Sequence, residues 1–69
     1  MTVISGRPAI VALAEELGGK VAPMGINWTW VDYFPSRKAA ESFIEALEAD
    51  NWEHRGIYQV EDCISVRFR

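Results

Sequence analysis

The sequence predicts an α+β domain: two helices packed on one face of a small antiparallel sheet of three to five strands, in the order (β)αββαββ. Two observations carry this. Residues 7–19 and 36–50 place apolar side chains at helical spacing, and each segment is followed by two short runs rich in β-branched or aromatic residues. The connections are short throughout, so consecutive elements should lie beside one another.

Met1 to Ser5 supplies the optional first strand; if it pairs centrally, the arrangement approaches a ferredoxin-like split βαβ fold. Pro8 is preset for a first helical turn and Gly18-Gly19 ends that helix, whose inward face is Ile10, Leu13, Ala14 and Leu17. Lys20 to Met24 reads as a short edge strand broken at Pro23, Gly25-Ile26-Asn27 as a turn, and Trp28 to Phe34 as the partner strand. On strict alternation Trp28, Trp30, Asp32 and Phe34 share one face, opposite Thr29, Val31 and Tyr33. Neither face is cleanly polar, so the one that meets the helices stays open.

Ser36 is placed to cap a second helix reaching about Asp50, with Ala40, Phe43, Ile44 and Leu47 inward. Asn51 tolerates the left-handed conformation beyond its end, and Arg37 lies one turn before Glu41, where it could partly neutralise it. Two final strands, one from Glu53 to Val60 and the other reaching the end of the chain, flank the turn Glu61-Asp62. In the last one Ile64, Val66 and Phe68 alternate with Ser65, Arg67 and Arg69, as in a sheet covered on one side only. Gly56 marks a bulge or a close backbone approach in its neighbour.

A chain of 69 residues makes a single domain, residues 1–69, and buries only roughly 60% of the surface its unfolded state exposes. One cysteine, Cys63, excludes an internal disulfide framework and any multi-cysteine metal site, and points to a reducing compartment, the cytoplasm. No window approaches a membrane span and the N-terminus lacks a signal pattern, so neither secretion nor membrane insertion is expected; a free-standing monomer is the further expectation. The net charge of −3 opposes general affinity for nucleic acid, which relies on cations displacing counterions; no direct nucleic-acid partner is expected.

Chemistry is sparse. His54 and Cys63, the only histidine and thiol, would have to meet across the final hairpin, where they are not opposed and no oxyanion signature accompanies them. A metal site would need Glu53, His54, Glu61 and Asp62 to converge, without a recognised ligand spacing. The glycines form no phosphate cradle. The expectation is a protein that is not an enzyme and takes no cofactor or metal.

Binding is the remaining class. Glu41, Glu45, Glu48, Asp50 and Glu53 follow one another without an intervening Lys or Arg, and the first three fall on one helical stripe. A single such residue is explained by solubility and helix propensity; the shared sign suggests an anionic edge able to dock into a basic groove. Trp28 and Trp30 either fill the core or form an aromatic platform for a protein partner. His54, Arg55, Arg67 and Arg69 could with such aromatics stack single-stranded RNA, although the motifs of sheet-based RNA readers are absent.

Taken as a whole, in its small size, acidity, surplus of aromatic residues and lack of chemistry, the chain resembles the small anti-CRISPR proteins of phages and mobile elements. The resemblance is one of overall character, and Phe34-Pro35-Ser36-Arg37-Lys38 is not diagnostic of it. It implies an inhibitor that works in the cytoplasm of a bacterial host, binds a CRISPR surveillance complex, of type I, and blocks target DNA recognition. On that reading Glu41, Glu45, Glu48, Asp50 and Glu53 would enter a Lys/Arg-lined groove of an effector subunit, with Trp28 and Trp30 sealing the drier centre of the contact. The alternative is a small cytoplasmic adaptor, such as an antitoxin or a phage modulator of a host enzyme, that binds through an aromatic sheet face.

Overall fold

The computed structural model describes residues 7–22 and 28–69 and has the expected α+β architecture. The elements are α1 (Arg7–Glu16), β1 (Lys20–Ala22), β2 (Thr29–Asp32), α2 (Arg37–Ala49), β3 (His54–Val60) and β4 (Cys63–Phe68). The strands form one sheet ordered β1-β2-β4-β3, with every neighbouring pair antiparallel. The strand expected at Met1 to Ser5, on which the ferredoxin-like arrangement depends, lies outside the described residues. So do Pro23, Met24 and the turn at Gly25-Ile26-Asn27.

Both helices end as their residues dictate. Past α1, Gly18 takes a φ of +93°, and the Gly19 amide returns to the Ala14 carbonyl at 2.9 Å. A Cβ on Gly19 would run into the Val31 side chain, so only glycine lets the chain cross β2 this closely. At the start of α2 the Ser36 hydroxyl accepts from the Ala39 amide at 3.2 Å, and at its end Asn51 adopts a φ of +61°.

The core lies between the helix layer and one face of the sheet. Ile10 and Ala14 come from α1, Ala40, Phe43 and Leu47 from α2, Val31 from β2, and Ile64, Val66 and Phe68 from β4. Phe43 sits at its centre, with ring centroids 5.6 Å from Phe34 and 5.5 Å from Phe68. Trp52 closes the end of this stack edge-on to Phe68 at 5.3 Å, and its indole N–H donates to the Asp50 carboxylate at 2.8 Å. That resolves the indole's polar atom while its rings fill space.

Two expectations need correction. Strict alternation grouped Phe34 with Trp28, Trp30 and Asp32, yet Phe34 is buried in the core and Tyr33 is 63% exposed. The cause is local: Tyr33 adopts a φ of +62°, which ends the two-residue alternation after Asp32 and swaps the directions of the next two side chains. Arg37, expected near Glu41, instead donates to the side-chain oxygen of Gln59 on β3 at 3.1 Å.

Candidate functional site

With both helices on one side, no element among the described residues covers the sheet's other face, and the strand register decides what stands on it. Thr29 and Val31 point inward, opposite Phe68 and Val66 of β4, so Trp28, Trp30 and Asp32 point outward. Trp30 is the direct cross-strand partner of Arg67. One step along, Trp28 stands beside Arg69, whose backbone exchanges both hydrogen bonds with Glu53 at 3.0 Å.

Aromatic rings and guanidinium groups therefore interleave across three strands. Arg67 lies 3.7 Å from the Trp30 ring centroid and 4.2 Å from that of Tyr58, so one guanidinium contacts two rings. Trp28 is contacted by two guanidinium groups, Arg69 at 4.6 Å and Arg55 at 5.2 Å. Each contact is worth roughly 0.5–1 kcal/mol where exposed and up to about 2 where water is excluded. Arg67 is the sheltered member: its Nε is enclosed and has no hydrogen-bond partner.

Arg55 points to this face because it follows the inward-facing His54, and the bulge in β3 returns Tyr58 to the same face. The pairing of β3 with β4 shifts register between His54 and Ile57, Gly56 takes a φ of +76°, and its amide donates to His54 Nδ1 at 3.0 Å. A Cβ at Gly56 would meet nothing within 4 Å, so of the two roles open to this glycine the structure assigns the bulge. Because Nδ1 accepts, the imidazole proton resides on Nε2, which faces the Glu48 carboxylate at 3.0 Å. His54 thus bridges to α2 and does not join Arg55, Arg67 and Arg69 on the open face.

The five acidic residues separate into three settings. Glu41, Glu45 and Glu48 are exposed on the helix layer, and Glu48 is engaged by His54. Asp50 caps α2 and receives the Trp52 indole. Glu53 stands on the sheet beside Arg69, whose Nε donates to it at 3.0 Å. That hydrogen bond, together with the charges of Arg69 and Arg55, holds the Glu53 carboxyl below the usual carboxylate range. Glu53 thus stands apart from the α2 stripe, and what the structure gathers with Trp28 and Trp30 is arginine.

Tyr58 carries no signal of its own in the sequence; it gains its place only through the β3–β4 register, opposite Ser65 and diagonal to Arg67. The arginines did carry one, since Arg67 and Arg69 repeat on β4 with the same two-residue period as Trp28 and Trp30 on β2. His54 and Cys63 sit at opposite ends of the β3–β4 hairpin, paired with Phe68 and Val60 respectively. Among the described residues no three metal-ligating side chains gather, and no helix is long and apolar enough to cross a membrane. Comparison with protein-family models, with curated proteins and with solved structures finds no match for the chain.

Proposed function

We propose that this chain is a binding protein without chemistry of its own, a small adaptor or modulator that meets a protein partner through the open face of the sheet. The observation that supports this is the presence of Trp28 and Trp30 on the side of the sheet away from the helices, each in contact with arginine. The core is filled without them, by Phe34, Phe43, Phe68 and Trp52. Tryptophan, tyrosine and arginine dominate the energetic centres of protein interfaces, because each brings large contact area together with a polar handle. Here all three are held against one another on a rigid sheet, which lowers the entropy lost when a partner orders them.

The exposed side of α2 favours a second reading. Glu41 and Glu45 have no ion-pair partner among the described residues, and with Glu48 they form a stripe with axial separations of about 6 and 4.5 Å. This is the surface that would compete for a basic nucleic-acid-binding groove, as in the anti-CRISPR reading. The contact would then rest on these three residues, with Asp50 and Glu53 outside it.

The test is capture of partners by the tagged chain from a bacterial lysate containing CRISPR effectors, washed at low and high salt and read by mass spectrometry. Capture should be lost with Tyr58→Ala and Trp30→Ala and retained with the folded double variant Glu41→Lys/Glu45→Lys. The reverse pattern, with effector subunits lost at high salt, transfers the function to the acidic stripe.

A further inference from the structure

We propose that Arg67 is an anion-recognition site that anchors a carboxylate side chain from an acidic segment of the protein partner. This rests on the open-face reading above and adds the partner's chemistry to it. All ten aspartates and glutamates of the chain lie within the described residues, and none of them pairs with Arg67. The guanidinium is instead held against Trp30 and Tyr58, with its Nε enclosed and unpartnered. Only its two Nη groups remain as donors, and a carboxylate is the acceptor whose geometry matches such a fork.

The surroundings favour a discrete carboxylate over a run of phosphates. Four cations, Lys20, Arg55, Arg67 and Arg69, stand on or reach this face, but Asp32 is the cross-strand partner of Lys20 and Glu53 is bound to Arg69. The unbalanced charge is thus confined to Arg55 and Arg67. A nucleic-acid strand crossing the face would bring its phosphates past Asp32 and Glu53, and would meet a chain of net charge −3. An acidic peptide segment needs only the local cation and an apolar wall for its stem, which the Trp30 and Tyr58 rings provide.

The experiment is a titration of the full chain followed by the Arg67 Nε–H and the tryptophan indole N–H resonances. The probes are an N-acetylated, C-amidated peptide of five Glu-Ala repeats, a ten-nucleotide oligouridylate, and sodium chloride at matched ionic strength. We expect saturable shifts with the peptide at Arg67 and Trp30 and none at Arg37, and at least about a tenfold weaker affinity in Arg67→Lys, which keeps the charge but loses the fork. Uniform shifts that sodium chloride reproduces, undiminished peptide affinity in the folded Arg67→Lys variant, or tighter binding of the oligouridylate would each overturn the proposal. Its failure is separable from that of the open-face reading: lysate capture abolished by Tyr58→Ala but unaffected by Arg67→Lys retains the face and removes the carboxylate.

Discussion

The two faces of the sheet are built from the same strands and follow opposite rules. The inner face of β2 and β4 carries Val31, Ile64, Val66 and Phe68, apolar side chains closed over by two helices. Their outer face carries Trp30 and Arg67, extended by Trp28 and Arg69 just beyond the strand ends, apolar and cationic groups alternating from strand to strand with no helix above them among the described residues. On the inside, rings meet rings, and the gain comes from removing area from water. On the outside, rings meet guanidinium groups, which cover their faces while the charged edges stay hydrated. An aromatic count alone therefore misreads such a domain: all three tryptophans are half-buried, but Trp52 packs on the core ring of Phe68, whereas Trp28 and Trp30 pack against arginines.

That contrast can be broken most sharply by deletion on each face. Phe43→Ala empties the centre of the core and should cost about 3–5 kcal/mol. For a domain of this size that lowers Tm by more than about 10 °C in a thermal melt, if the chain folds at all. Trp30→Ala on the outer face should cost only about 1–2 kcal/mol, the loss of its stacking and partial burial. Equal losses for the two variants would make the outer face a second core and remove the reason to regard it as a contact surface. Gly56→Ala sharpens the comparison further. No atom obstructs the new methyl, so the effect is purely the backbone strain of a left-handed alanine, roughly 1 kcal/mol by chemical denaturation.

The smallest effect concerns Glu53. Its carboxyl is held below its unfolded value, so it contributes stability that is present above the unfolded pKa and is lost as pH falls through the folded one. Glu53→Gln should accordingly lower Tm slightly at neutral pH, and the difference from the parent should shrink to nothing in acid. A difference that persisted with the carboxyl protonated would mean that Glu53 acts through packing instead of charge.

The helices and the inner face were legible because their information is local. Ile10 and Ala14 on α1, Phe43 and Leu47 on α2, and Ile64, Val66 and Phe68 on β4 repeat at the period of their own element, and Ser36 and Asn51 mark the ends of α2. The outer face was legible on β4, where Arg67 and Arg69 alternate with the apolar set, but not on β2. Trp28 and Trp30 alternate with Thr29 and Val31, and choosing between the two sets needs the register with β4, a contact nearly forty residues away in sequence. Tyr33 was opaque for another reason: a bulky aromatic side chain gives no hint of a left-handed backbone, so alternation was carried one residue too far and misplaced Phe34. The acidic run illustrates a third limit. Its sign was plain, but Glu48 meets His54 and Glu53 meets Arg69 only because the chain turns back after α2 and lays β3 beside β4.

The bulge in β3 also bears on how the chain behaves at high concentration. A sheet with two free borders invites other copies to extend it, and long flat borders seed fibrils. Here one border, β1, is only three residues long. The other is kinked at Gly56, where its ladder breaks register and Arg55 stands in the break. Among the described residues, neither offers an unbroken row of amides and carbonyls long enough to template a stack. The described borders thus resist strand addition while Trp28 and Trp30 stand on the broad side of the sheet.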